Sequence, residues 1–199
     1  MKNRVFIISF LAIIVLVLFA GCDLYNVHGN GHITSEERAV DKFDSIVLDG
    51  VGNINVHPSN DHKVVITTDS NIQDMIKISV NNEILCVTER NRWGFDATKL
   101  NIDVYLPEIK SVELNGVGNI NILEGKTDNF NIYMCGVGDI DAQNYKAKDI
   151  YIKHSGVGDA KIWAVDSING SLTGIGNILY KGDPHKDIRV KGIGTVKSF

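Results

Sequence analysis

The sequence predicts an all-β fold, a parallel β-solenoid with an antiparallel β region inserted near its N-terminal end. The first observation is a repeated Gly-X-Gly motif, which begins at Gly50, Gly116, Gly136, Gly156, Gly174 and Gly192. From the second motif onward the spacing is nearly constant, at about 20 residues, which is typical of solenoid coils. The second observation is that apolar residues alternate with a period of two on both sides of the motifs, as in strands. The third is that no helical apolar period appears after Asn115.

The N-terminus predicts secretion and lipid anchoring. Two basic side chains precede an apolar run from Val5 to Ala20, which is the pattern of a secretory signal peptide. That run is shorter than the roughly 20 residues that a membrane-spanning helix needs. The five residues that end in Cys22 resemble a lipobox, so we expect residues 1–21 to be a lipoprotein signal peptide and Cys22 to carry the lipid. The alternative for this cysteine is a plain thiol beside a generic cleavage site. Residues 22–41 are polar and contain glycine, which suits a tether.

Charge and cysteine content restrict the classes of function. Removing the signal peptide takes the formal net charge from −4 to −6, because two of the removed side chains are basic and none is acidic. An acidic chain without a Lys/Arg-rich stretch offers no phosphate-binding surface, so nucleic acid is not an expected partner. Cys86 and Cys135 remain in the mature chain, either as one disulfide or as two separate thiols. Their spacing predicts no zinc site, and we expect no cofactor.

The interval between the first two motifs is more than three times as long as the later ones, too long for one coil. Residues 58–108 in this interval have their own alternation of apolar residues, and Asn81-Asn82 is a candidate hairpin turn because Asn tolerates the left-handed conformation. We expect antiparallel strands here that extend or cap the first coil.

Two further segments complete the predicted domain, which spans residues 42–199. An exposed loop from Asn91 to Thr98 would carry Trp93 and Phe95. Residues 109–199 would form the repeat coils.

Several stretches of sequence together point to a family. They are Phe43-Asp44-Ser45-Ile46-Val47-Leu48 before the first motif, Asp69-Ser70-Asn71-Ile72, Tyr105-Leu106-Pro107 before the second motif, and the serial glycine turns. With these features the chain from about residue 43 to 199 resembles the head GIN domain family of bacterial envelope proteins. The family commonly has a hydroxyl residue between the two glycines, whereas this chain has Val or Ile throughout. The resemblance implies a right-handed β-helix-like fold, and it brings no catalytic residues; the adhesin label of the family is a conjecture.

A polar column follows the second glycine of each motif: Asn53, Asn119, Asp139, Asp159, Asn177 and Thr195. Stacking in register would place Asp139 beside Asp159, and like charges at that spacing repel unless something neutralises them. Two carboxylates among amide oxygens are candidate calcium ligands, although a calcium site needs more ligands than these two. The alternative is a solvated turn with lysine neighbours. These two aspartates and Trp93 are the candidate binding residues.

His154 replaces an aliphatic residue in an apolar column, and we expect it to be buried, neutral and hydrogen-bonded. The sequence contains no zinc-type histidine spacing, nucleophile elbow or P-loop. If the chain were a carbohydrate-active β-helix enzyme, Asp139, Asp141 and Asp159 would be its candidate acids. Adjacent coils place such carboxylates too close together for an inverting pair.

The predicted function is that of a non-enzymatic, lipid-anchored protein of the bacterial cell envelope, periplasmic or surface-exposed. It would serve adhesion, scaffolding or sensing through protein or glycan contacts. The alternatives are a carbohydrate-active β-helix enzyme and a calcium-stiffened structural module. An open final coil presents unpaired strand edges. Hence either Val196 to Phe199 folds over the core, or the last coil meets another molecule, such as a second copy of the chain.

Overall fold

The computed structural model describes residues 27–90 and 94–199, which form 17 strands and a three-residue 3-10 helix at Gln73–Met75. The strands up to the second motif are β1 Val27–His28, β2 Ile33–Ala39, β3 Ser45–Asp49, β4 Asn53–Pro58, β5 Lys63–Asp69, β6 Ile76–Asn81, β7 Ile84–Glu89, β8 Phe95–Asp96, β9 Leu100–Leu106 and β10 Ser111–Leu114. The remaining strands are β11 Ile120–Ile122, β12 Gly125–Met134, β13 Ile140–His154, β14 Ala160–Leu172, β15 Ile178–Lys181, β16 His185–Val190 and β17 Val196–Ser198. The predicted signal peptide, Cys22 and Trp93 lie outside the described residues.

The described residues are all-β, as the sequence predicts. Fifteen strands belong to one mixed sheet that nearly closes on itself like a barrel, and β1 and β8 form a separate two-stranded sheet. The sheet turns back because the long strand β13 pairs with β11 near its start and with β12 along its later part. Within residues 27–90 and 94–199, no helix is both long and apolar enough to cross a lipid bilayer.

Equivalent residues of successive motifs lie side by side in parallel strands. Before the turn, one buried row runs through Ile46, Val112, Ile132, Ile152, Gly170 and Ile188. After the turn, a second row runs through Ile54, Ile120, Ile140, Ala160, Ile178 and Val196. Most of these side chains are fully buried, and each buried Val or Ile stabilises the fold by roughly 1.5–3 kcal/mol relative to exposure. The period-two pattern in the sequence is therefore the inward face of the stack.

The Gly-X-Gly turns stack in direct backbone contact. A Cβ atom on Gly136 would lie 2.1 Å from the carbonyl oxygen of Gly116 in the preceding coil. The backbone N–H of Val137 donates a hydrogen bond of 2.9 Å to that same oxygen. From the second motif onward the first glycine is therefore required, because a side chain there would push neighbouring coils apart.

The later coils are slightly shorter than the earlier ones, and the change in length takes place away from the turn. Ala142 pairs with Ile162, whereas a few residues later Lys146 pairs with Trp163, across an irregularity in the β13–β14 ladder. The strands on both sides of the turn stay in register through this change. The side of the coil around residues 143–148 therefore absorbs the difference in length.

Among the described residues, antiparallel pairing is confined to the N-terminal part. β5 pairs antiparallel with β2 and β9, and β6 pairs antiparallel with β7. β9 and β7 in turn join the stack in parallel, next to β4 and β3. The turn between β6 and β7 contains Asn82 and Glu83, both at positive φ, one residue beyond the predicted Asn81-Asn82 pair.

Two predictions for the N-terminal segments are wrong. Residues 33–39 of the predicted tether form strand β2, because the edge of β5 offers them a full antiparallel ladder. Phe95 does not lie in an exposed loop; it is part of β8, which pairs with β1, and it packs against the core.

Asp69 fastens the segment after β1 to the body of the protein. Its buried carboxylate accepts hydrogen bonds of 2.7 Å from the N–H of Gly31 and 2.8 Å from the N–H of Thr98. Desolvation by burial acts to raise the pKa of Asp69, but the hydrogen bonds from Gly31 and Thr98 outweigh it and hold the pKa below its ordinary value. The ionised carboxylate thus joins three segments that are distant in sequence.

The last coil continues the stack and does not fold over it. β17 pairs in parallel with β15, and Phe199 is half exposed beneath the Lys181 ammonium group. The prediction that residues 196–199 cover the core is therefore wrong, since the backbone of β15 offers a better partner than the apolar end. Contact of this coil with a second copy stays a prediction.

Candidate binding face

A row of polar side chains crosses the outer surface of the strands that follow the turn. The register of β9, β4, β11, β13 and β14 aligns Asp103, Asn55, Asn121, Asp141 and Lys161, one from each strand. These residues alternate with buried apolar neighbours, so their side chains point away from the core. We call this row, together with Tyr105, His57, Gln143 and Trp163 beside it, the polar face.

Asp103 is the centre of the first half of the polar face. Its Oδ1 accepts a hydrogen bond of 3.2 Å from Asn55 Nδ2 and lies 2.9 Å from His57 Nε2. Asn121 Nδ2 in turn donates to Asn55 Oδ1 at 3.1 Å. Each amide therefore has a fixed orientation, and their remaining donors and acceptors face solvent.

An aromatic pair lies next to this network. The rings of His57 and Tyr105 stack with centroids 4.7 Å apart and an interplanar angle of 14°. Lys63 Nζ lies 4.8 Å from the centre of the Tyr105 ring, within the range of a cation–π contact. The pair thus provides a rigid flat surface beside hydrogen-bonding groups.

The second half of the polar face is built around Asp141. Its Oδ2 accepts a 2.8 Å hydrogen bond from Gln143 Nε2 and lies 3.8 Å from Lys161 Nζ. Beyond it, Trp163 is contacted through its ring by Lys146 and Lys181, at 5.4 and 5.6 Å from the ring centroid. Carboxylate, amide, ammonium and indole groups therefore form one continuous patch.

The sequence gives a signal for part of this face. Three successive motifs read Asn-Ile-Asn, Asn-Ile-Asn and Asp-Ile-Asp at residues 53–55, 119–121 and 139–141. The first polar residue of each triplet belongs to the column predicted from the sequence. The second belongs to the polar face, of whose row the sequence analysis named only Asp141, as a candidate acid. Asp103 and Tyr105 come from the inserted region, and no repeat pattern aligns them with the motifs.

The predicted column of Asn and Asp residues is a hydrogen-bonded ladder. Asp139 and Asp159 do lie in adjacent coils, and the N–H of Asp159 donates a 2.7 Å hydrogen bond to Asp139 Oδ1. Asn177 N–H donates at 2.7 Å to Asp159 Oδ1, and Asp139 N–H donates at 2.9 Å to Asn119 Oδ1. Each side-chain oxygen thus satisfies the backbone of the next coil, which offsets the repulsion expected between the carboxylates.

The acidic side chains of the ladder and of the polar face do not converge on a metal position. Within residues 27–90 and 94–199, no group of three or more His, Cys, Asp or Glu side chains is arranged to hold a metal ion.

The remaining predicted residues have separate positions. His154 is fully buried, its Nε2 lies 2.6 Å from the carbonyl oxygen of Gly158, and its Nδ1 has no hydrogen-bond partner. Cys86 and Cys135 are both free thiols. Burial raises the pKa of the Cys86 thiol, and the nearby carboxylates of Asp49 and Glu113 add to this effect.

Fold and face together define a class of protein, an all-β domain built on one large mixed sheet that nearly closes like a barrel and carries a preorganised polar surface. The model of the family described as "Putative auto-transporter adhesin, head GIN domain" matches residues 42–122 and 111–184. The chain belongs to the head GIN domain family, and the resemblance drawn from the sequence is confirmed.

Solved structures of bacterial proteins resemble this chain to different degrees. A "putative adhesin" from Bacteroides fragilis has 24% identity and a TM-score of 0.63, over 87% of this chain and 100% of that chain. A "putative adhesin" from Parabacteroides merdae has 20% identity and a TM-score of 0.44, over 87% of this chain and 99% of that one. A "Putative lipid binding protein" from Parabacteroides distasonis has 17% identity and a TM-score of 0.48, with the same coverage. Of these three, only the first is close enough to support the fold, and no curated protein matches the chain.

Proposed function

We propose that this protein is a non-enzymatic adhesion or scaffolding domain of the bacterial cell envelope that binds a glycan or protein partner through the polar face. Family membership supports the class, since the family is described by an adhesin name. The observation that carries the proposal is the preorganised network of Asp103, Asn55 and Asn121 beside the stacked His57 and Tyr105 rings. Fixed amides and carboxylates favour binding because little side-chain entropy remains to be lost.

The proposal also includes how the chain is attached to the membrane and in which hand its coils wind. A lipid on Cys22 would hold the domain at the membrane after removal of residues 1–21, and residues 42–199 would form the domain proper. We take the stacked coils as a right-handed parallel β-helix, because parallel strands joined by crossover connections are right-handed in nearly all proteins. The parallel registers of β12 with β13 and of β14 with β16 support this description.

The chemistry of the polar face suits a glycan. Carboxylates accept hydrogen bonds, and amides both donate and accept them, so these groups match the hydroxyls of a sugar. The flat rings of Tyr105 and Trp163 offer apolar faces against which a sugar ring can pack. Neighbouring strands are about 4.8 Å apart, which is close to the length of one sugar residue, so a linear glycan could run across the coils.

The experiment is a screen of the chain, as processed by its bacterial host, against envelope glycans and envelope proteins, with product analysis on each sugar that binds. Asn121→Ala should weaken binding at least about tenfold, since each lost charge-assisted or paired hydrogen bond is worth about 1.4 kcal/mol or more. Asn131→Ala removes a comparable amide from β12, before the turn, and should leave binding unchanged. Equal losses in both variants would reject the polar face, and cleavage of a bound polysaccharide would favour a carbohydrate-active enzyme.

A further inference from the structure

A line of exposed aliphatic side chains runs along the stacked turns. The residue between the two glycines of each motif pairs with its counterpart in the next coil, in the order Val51, Val117, Val137, Val157, Ile175 and Ile193. These six side chains are 45–73% exposed. At about 4.8 Å per coil the line is roughly 24 Å long. We call it the aliphatic ridge.

The fold does not require apolar side chains on this ridge. The glycines on either side supply the close contact between coils, and the residue between them points to solvent. Polar residues border the glycines of most turns, for example Asn115 and Asn119 around Val117, and Ser155 and Asp159 around Val157. A continuous exposed apolar surface with polar margins is typical of a contact surface.

The N-terminal segment leaves the domain beside one end of this ridge. Leu100 packs over the first turn, where a Cβ on Gly52 would lie 3.5 Å from its side chain. Thr98, two residues before Leu100, donates a hydrogen bond from its N–H to Asp69, which also accepts one from Gly31. β1 is fixed to the same region, because the N–H of Val27 donates to the carbonyl oxygen of Gly94.

The length of chain before β1 limits how far the domain can stand from its anchor. Val27 is only five positions after Cys22, and a fully extended chain of that length spans at most roughly 17 Å. This span is shorter than the ridge itself. A lipid on Cys22 therefore keeps the start of the ridge close to the membrane surface.

We infer that the aliphatic ridge rests on the lipid bilayer that holds the anchor, with its six side chains among the headgroups and upper acyl chains. This inference rests on the lipid anchor in the proposed function. The bilayer is favoured over a second copy because β1, which begins only five positions after Cys22, lies at the same corner of the molecule as the start of the ridge. Since the mature chain is acidic, zwitterionic lipid suits this contact better than anionic lipid. The stack would then lie along the membrane, attached by the lipid at one end and the ridge along its length.

The test uses the chain as it is processed by a bacterial host that matures lipoproteins, mixed with phosphatidylcholine vesicles and carrying C86A and C135S. An environment-sensitive fluorophore is attached through V137C or I175C on the ridge, and through V165C as the control. Val165 is also exposed, but it lies on the side of the coil away from the turn. Spin-labelled lipid should quench the two ridge probes several times more strongly than the V165C probe.

Each outcome decides between the explanations. Equal quenching at all three positions, with the protein floating together with the vesicles, overturns the ridge contact and leaves the anchor intact. If the fluorescence of the ridge probes is not quenched by the spin-labelled lipid but changes with the density of protein on the vesicles, the ridge contacts a second copy, and its contact with the bilayer is overturned. Failure of the unlabelled chain to float with vesicles overturns the anchor in the proposed function, and the ridge contact with it. Circular dichroism of each variant verifies that the fold is retained.

Discussion

Replacing Gly136 by Ala should be far more damaging than replacing Gly50 by Ala, although both are the first glycine of a motif. A Cβ on Gly136 would lie 2.1 Å from the Gly116 carbonyl oxygen, whereas the nearest atom to a Cβ on Gly50 is 3.4 Å away. Neither glycine has the positive φ that would add backbone strain. Comparing the Ala variants of Gly50 and Gly136 therefore measures the steric contact between coils without a contribution from backbone strain.

The cost of Gly136→Ala follows from what must move. The two turns must separate by about 1 Å to reach an ordinary contact distance, and overpacking of this kind costs about 1–3 kcal/mol. Separation also stretches the hydrogen bonds from Gly136 N–H to Leu114 O and from Val137 N–H to Gly116 O, 2.7 and 2.9 Å long, each worth about 1 kcal/mol. We expect a loss of about 3–4 kcal/mol, compared with less than about 1 kcal/mol for Gly50→Ala.

Thermal and urea unfolding followed by far-UV circular dichroism measure this difference. For a domain of this size, about 3 kcal/mol lowers Tm by roughly 6–12 °C. If the two variants unfold within about 1 °C of each other, the close contact between turns does not limit the stack, and our explanation of the repeated glycine fails.

The hydrogen bonds of the ladder, the core and the N-terminal segment give three further predictions. Asp139→Ala should destabilise the protein by about 1–3 kcal/mol, because it leaves the amide N–H of the next coil without an acceptor. Asp139→Asn keeps an acceptor and should cost less than half as much. Equal losses of stability in urea titrations would contradict the ladder. Tyr145→Phe should reduce the free energy of unfolding by an amount similar to Asp139→Ala, because the Tyr145 hydroxyl donates to Ile109 O at 2.8 Å and accepts from Ile109 N–H at 3.1 Å. Burial raises the pKa of this hydroxyl to about 12, so the loss of stability should not vary between pH 6 and 9. The folded pKa of Asp69 lies below its ordinary value of 3.8, so the stability that this carboxylate provides is present above pH 3.8 and is lost as pH falls through the folded pKa. Pepsin should therefore cleave near Gly31 only at the acid end of a pH 2–4 series. Uniform cleavage across the series would refute the link between Asp69 and the N-terminal segment.

The repeat made much of the fold predictable from the sequence. A motif that recurs at a nearly constant spacing with period-two apolar flanks determines which residues stack, and the rows through Ile132 and Ile140 follow from it. The N-terminal part could not be derived in this way. Strand β2 is polar at most positions and is held by the edge of β5, so its position depends on a partner that is distant in the sequence.

The candidate site was only partly predictable for the same reason. Columns in the repeat locate Asn55, Asn121 and Asp141, but Asp103 and Tyr105 reach the polar face only because β9 pairs beside β4. Asp139 and Asp159, which the sequence offered as binding candidates, proved to be backbone acceptors in the ladder. Polarity at a repeated turn therefore indicated a structural role, and the polar face that we propose for binding lies two residues further along each coil.

The change in coil length between β13 and β14 also indicates where this molecule can vary. Because the strands on both sides of the turn stay in register while residues near 143–148 shift, insertions at that side leave the turns, the ladder and the polar face in place. A reporter peptide or a recognition loop placed at Lys148, which is exposed and lies at the second register shift of this ladder, should therefore be displayed without disturbing the stack. Sequence divergence among relatives would collect on that flank, so the same scaffold could present different surfaces from one protein to the next.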